Sequence, residues 1–68
     1  MPEKTYNINC YRRDGGETET IEFLTREEAN ENFPLYGDPI SREFYSKVTL
    51  TEYDWTQHTE TELDAMNL

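Results

Sequence analysis

The stretch TETIEFLTREEANENF, residues 18–33, reads as a strand that runs directly into a capped helix. Thr18, Thr20 and Glu22 alternate with Glu19, Ile21 and Phe23, the period-two pattern of a strand with one buried face. Ile21 and Phe23 are the inward pair. The alternation stops at Leu24 and Thr25. Thr25 suits an N-cap, because its hydroxyl can accept a bond from a free backbone N–H of the first turn, and Glu28 three residues later completes a capping box. Leu24 is placed to staple against Ala29. Glu27 and Glu28 lie where the helix dipole favours negative charge. Ala29 and Phe33, four apart, share a face that can meet a sheet. Pro34 ends the helix at or near Phe33, since a residue before proline avoids the α region. So short a helix does not hold alone in water.

Working outward, residues 5–13 set Tyr6, Ile8 and Cys10 against Asn7, Asn9 and Tyr11, a first strand with its even positions inward. The cluster Arg13-Asp14-Gly15-Gly16-Glu17 supplies the positive φ of a tight hairpin. After the helix, Pro34-Leu35-Tyr36-Gly37-Asp38-Pro39 reads as an irregular connector, with Leu35, Tyr36 and Ile40 available to anchor it at the core edge. Residues 42–53 are the longest strand candidate. Phe44, Val48 and Leu50 would face the helix, with Tyr45, Lys47, Thr49, Thr51, Tyr53 and Trp55 facing away.

The expected fold is α+β, a ββαβ chain. It forms a three-stranded antiparallel sheet of order 2-1-3, because a right-handed crossover sets the third strand beside the first. One short helix covers one face, over a core of Ile8, Cys10, Ile21, Phe23, Ala29, Phe33, Val48 and Leu50. Residues 1–55 make a single small domain. Residues 56–68, polar and acidic with no Lys or Arg, are expected to be a disordered or conditionally ordered tail.

Sixty-eight residues make one domain of marginal stability. The 34% hydrophobic fraction is low, so the core must be thin and rely on large aromatic side chains. A net charge of −9 argues against direct binding of nucleic acid, which needs clustered cations, and against anionic membrane surfaces. It permits a protein partner with a basic surface, or serves solubility. One cysteine excludes an intramolecular disulfide and fits a cytoplasmic setting. No apolar run of signal-peptide or membrane-spanning length occurs.

Chemistry-bearing patterns are sparse. His58, the only histidine, falls in the expected tail, and Cys10 points into the core, so a Cys–His pair would need the tail to fold over the sheet. His58, Glu60, Glu62 and Asp64 lack the spacing of a known metal site. Gly15-Gly16 is a turn pair without the following helix or lysine of a phosphate cradle. No catalytic set, metal or cofactor is expected. Two surfaces are more informative. Tyr11, Tyr45, Tyr53 and Trp55 would form a stripe on the helix-free face, suited to protein contact, to cover by the tail or a second copy, or to base stacking, which the charge opposes. Residues 17–31 concentrate acid, with Glu27, Glu28 and Glu31 on the helix, in a density that can imitate a nucleic-acid backbone or simply keep the protein soluble.

The acidic run 17–31, the aromatic strand 44–55, the short length and the lack of a catalytic set together resemble, at class level, the small acidic proteins of phages and mobile elements. Many of those inhibit host nucleic-acid enzymes, and anti-CRISPR proteins are one group. EFLTREEANENF is also similar to strand–helix junctions in many uncharacterised bacterial domains, a folding signal without functional content. The resemblance implies a non-enzymatic inhibitor in the basic groove of a nuclease complex. Glu27, Glu28 and Glu31 would pair with Arg or Lys, and Tyr45, Tyr53 and Trp55 would supply buried contact. A homodimer packed through the open sheet face, with a structural or regulatory role, is the alternative.

Overall fold

The computed structural model describes residues 3–68. Four strands, β1 (Lys4–Arg12), β2 (Glu19–Phe23), β3 (Tyr45–Asp54) and β4 (Thr59–Asn67), form one antiparallel sheet of order β2-β1-β3-β4. Between β2 and β3 lie α1 (Arg26–Asn32), a 3₁₀ turn (Phe33–Gly37) and α2 (Pro39–Phe44). The expected three-stranded sheet with one helix and an acidic tail is therefore corrected on two counts. The sheet has a fourth strand, and a second helix replaces part of the connector and the start of the third strand.

Both corrections have local causes. Asp38 caps α2, accepting a bond from the Ser41 N–H at 2.8 Å, and Pro39 takes the first helical position, where its missing N–H costs nothing. Hydrogen bonding to Ser41 holds the Asp38 carboxyl below its ordinary range. What reads as a breaker pair is thus a helix start. At the β3–β4 turn, Asp54 Oδ1 accepts from the N–H groups of Thr56 (2.9 Å) and Gln57 (3.2 Å), and His58 takes φ 55°. This side-chain-bonded turn reverses the chain without glycine. The acidic segment beyond it then pairs along β3. A bulge between Leu50 and Thr51 resets its register, and Leu63, Met66 and Leu68 pack against the core.

The turn from β1 to β2 uses Gly15 at φ 79°. Arg12 clamps Asp14 at 2.8 Å, and Asp14 in turn accepts from the Gly16 N–H at 2.8 Å. The N-cap of α1 is Thr25, whose hydroxyl accepts from the Glu28 N–H at 3.2 Å. Residues paired across antiparallel strands share a face. Tyr6, Ile8 and Cys10 of β1 therefore lie with Phe23, Ile21 and Glu19 of β2 and with Glu52, Leu50 and Val48 of β3. This is the face the helices cover. Its core is Ile8, Cys10, Ala29, Phe33, Val48 and Leu50, all buried.

Several residues expected in the core, at its edge or facing the helix are exposed instead. Ile21 is 39% exposed because β2 is a short edge strand, with a neighbour on one side only and partial cover from α1. Leu24 is exposed, so the hydrophobic staple is not made. Phe44 ends α2 and is exposed, instead of facing the helix from a strand. Leu35 and Ile40 are exposed as well, and only Tyr36 of the expected anchors is half-buried.

Candidate partner-binding surfaces

The open face carries Thr5, Asn7, Asn9 and Tyr11 of β1 beside Tyr53, Thr51, Thr49 and Lys47 of β3, with Glu22 and Thr20 on one flank and Glu60, Glu62, Ala65 and Asn67 on the other. A polar ladder crosses it. Thr20 Oγ1 donates to Asn9 Oδ1 at 2.9 Å, and Asn9 Nδ2 donates to Thr49 (3.3 Å) and Thr51 (3.1 Å). Thr49 and Thr51 are buried although no helix covers this face.

Trp55 Nε1 donates to Thr5 Oγ1 at 2.9 Å, and its ring meets Tyr53 edge-on with centroids 4.6 Å apart. The Tyr53 hydroxyl lies 3.4 Å from His58 Nδ1. Tyr53 and Trp55 therefore stand together at the β3–β4 turn. Tyr45 does not join them. The register shifts between Tyr11 and Arg12, so Ser46 is skipped and Tyr45 falls opposite Arg12, on the helix face. There Tyr45 packs against the core and donates to Glu19 at 2.5 Å. That bond, then burial, push its hydroxyl up to about 12. The expectation that Tyr45 shares a face with Tyr53 and Trp55 is corrected by this one-residue bulge.

Glu27, Glu28 and Glu31 are exposed on α1, across the sheet from Tyr53 and Trp55. The expected acidic and aromatic sets therefore lie on opposite sides of the molecule, and a single flat partner surface cannot touch both. Cys10 and His58 are likewise separated, one in the helix-side core and the other at the turn beside Tyr53. Burial pushes the Cys10 thiol up to about 11, which keeps it a neutral, inert core group. Among the described residues no cluster of three or more His, Cys, Asp or Glu could hold a metal ion, and no pocket opens. No helix among them is long and apolar enough to cross a membrane.

The arrangement of charge was not visible in the sequence. Of six Lys and Arg residues, four are committed internally. Lys4 pairs with Glu52 at 3.3 Å and Arg12 with Asp14. Arg13 donates to the carbonyls of Arg42 and Leu68, both at 2.7 Å, and Arg42 donates to that of Gly37 at 3.0 Å. Among the described residues only Asp14 and Glu52, of fifteen acidic residues, form ion pairs. Both sheet edges are acidic, with Glu19 and Glu22 on β2 and Glu60, Glu62 and Asp64 on β4. Charged edges also discourage pairing with further strands.

The side of the molecule that carries α1 holds apolar groups that sequence reading missed. Leu35, Ile40 and Phe44 are 65%, 67% and 54% exposed. The Asp38-Pro39 helix start was the available signal, since it sets Ile40 and Phe44 four apart on one helix instead of in a connector and a strand. Comparison with protein-family models, curated proteins and solved structures gives no match. The class defined by fold and surface is thus a small acidic α+β domain with a helix layer on one face of a four-stranded sheet.

Proposed function

We propose that this chain is a non-enzymatic protein-binding module. It acts inside the cell by occupying the basic nucleic-acid groove of a nucleic-acid enzyme, as the small acidic inhibitors it resembles do. The observation that supports this most is the charge arrangement. Thirteen of the fifteen acidic residues have no ion-pair partner among the described residues, while most of the cations are tied to carbonyls and carboxylates of the fold. Negative potential is left facing outward, where it steers and holds a basic surface. Glu27, Glu28 and Glu31 are the leading contacts. Tyr45 is engaged with Glu19, and Tyr53 and Trp55 belong to a different face, where they suit a second contact.

The homodimer packed through the open face has less support. That face is polar, and both its flanks are acidic, Glu22 on one and Glu60 and Glu62 on the other, so face-to-face packing of two copies would bring acidic flank against acidic flank. The test is affinity capture from bacterial lysate with tagged wild type and with the Glu27→Lys/Glu28→Lys/Glu31→Lys variant, after nuclease treatment. A nucleic-acid enzyme held by wild type and lost by the variant is expected. An enzyme held equally by both would overturn the role of these glutamates, and recovery of the bait alone would favour self-association.

A further inference from the structure

We infer that the helix layer docks as one unit, with its acidic and apolar halves in contact with the same partner: a protein surface carrying an apolar pocket beside a basic patch. This rests on the reading of the chain as a module for basic partners and names the contact that reading lacks. Asn32 (φ −86°, ψ −29°) and Phe33 (φ −55°, ψ −47°) keep helical angles, so α1 continues into the 3₁₀ turn without a break. Glu31 and Leu35, four apart along that path, are both exposed. The turn then packs on α2, where Ile40 and Phe44 share one face. A crest of exposed groups thus follows the chain from Glu27, Glu28 and Glu31 through Leu35 to Ile40 and Phe44.

Two features select the occupant. Leu35, Ile40 and Phe44 are all exposed, and of the three charged residues between Phe33 and Phe44 (Asp38, Arg42 and Glu43) Asp38 is engaged as the cap of α2. Arg13 and Arg42, the cations at α2, are drawn onto the carbonyls of Arg42, Leu68 and Gly37. A second copy is a poor occupant, because its own helix layer carries the same unpaired carboxylates and offers no basic patch to the acidic half. A basic surface around an apolar pocket complements both halves. Large apolar anchors beside charged rims are how compact interfaces concentrate their affinity.

The experiment uses two synthetic peptides as probes. One is a fourteen-residue helix former of Leu and Lys with the leucines along one face, and the other has serine at every leucine position. Isotope-labelled protein is titrated with each by NMR. The amphipathic peptide is expected to bind about tenfold more tightly, through the apolar area it removes from water. Its shifts should concentrate at residues 27–44, and Ile40→Ser/Phe44→Ser should abolish the difference between the peptides. These positions are exposed, and circular dichroism checks that the variant folds. Equal affinity of the two peptides at the α1 glutamates would overturn the apolar half while leaving the acidic module intact. Shifts centred on Tyr53 and Trp55 would also overturn it. Failure of both peptides to move any α1 glutamate would instead overturn the acidic module. Concentration-dependent dimerisation that Ile40→Ser/Phe44→Ser removes would assign the crest to a second copy and overturn the proposal.

Discussion

The two faces of the sheet are stabilised by different chemistry, although the same strands build both. The helix face is held by apolar burial: Ile8, Cys10 and Val48 lie fully enclosed beneath α1 and the 3₁₀ turn. The open face is held by side-chain hydrogen bonds, with Asn9 joining Thr20, Thr49 and Thr51 across three strands. Ile8 and Asn9 are adjacent in the chain and point to opposite faces, so the pair compares the two mechanisms at almost one position. The difference teaches that an uncovered sheet face need not be apolar to be ordered. Its short Thr side chains are shielded by neighbours and bonded to an amide, so no buried polar side-chain atom is left without a partner among the described residues.

The largest effect is expected from Ile8→Ala. Truncating an enclosed isoleucine removes its transfer energy and leaves a cavity, which costs about 2–5 kcal/mol. A small domain with a core of six buried apolar residues has little reserve against that loss. Urea denaturation followed by circular dichroism should show a collapsed transition or a chain unfolded without denaturant. A loss well under about 1 kcal/mol would mean that the helix layer relaxes onto the gap, and that apolar packing is not what distinguishes the two faces.

Asn9→Ala sharpens the comparison from the other side. It removes the amide that accepts from Thr20 and donates to both β3 threonines, yet the freed hydroxyls can rotate toward solvent at the open face. The expected cost is about 1 kcal/mol, that of a net hydrogen bond or two with partial resolvation. A loss equal to that of Ile8→Ala would show that Thr49 and Thr51, at 2% and 6% exposure, behave as true interior. The same denaturation measurement decides it.

The two faces were also unequally legible in the sequence. The alternation of Ile8 and Cys10 with Asn7 and Asn9 is a direct image of β1, and Thr25 with Glu28 marks the start of α1, because each signal is local. What escaped depends on contacts that composition hides. The acid in residues 59–67 masked β4, whose place comes from pairing along β3 and from Leu63 and Met66 reaching the core. Asp54 and His58 make a turn without glycine, and Asp38 turns a proline-rich connector into a helix start. For the candidate site, Glu27, Glu28 and Glu31 stand exposed on the helix that Thr25 and Glu28 announced. The aromatic set failed at Tyr45, because a single skipped residue inverts every side chain beyond it and leaves no mark in a period-two pattern.

Tyr45→Phe is the smallest of the expected effects, and it tests that inversion. If Tyr45 lies on the helix face, its hydroxyl donates to Glu19, and the bond favours the protonated phenol in the folded chain. The folded value of about 12 lies above the ordinary 10.0. The bond's contribution is therefore fully present below the ordinary value and is lost as pH rises from there through the folded one. The group is near the surface, so at neutral pH the substitution should cost only a few tenths of a kcal/mol. The clearer readout is spectroscopic. In an alkaline absorbance titration, Tyr45→Phe should remove one late-ionising step and leave that of Tyr36, whose hydroxyl burial also raises. If the wild type and the variant show the same late-ionising steps, Tyr45 is not the tyrosine bonded to Glu19, and its return to the open face beside Tyr53 and Trp55 would restore a continuous aromatic stripe there.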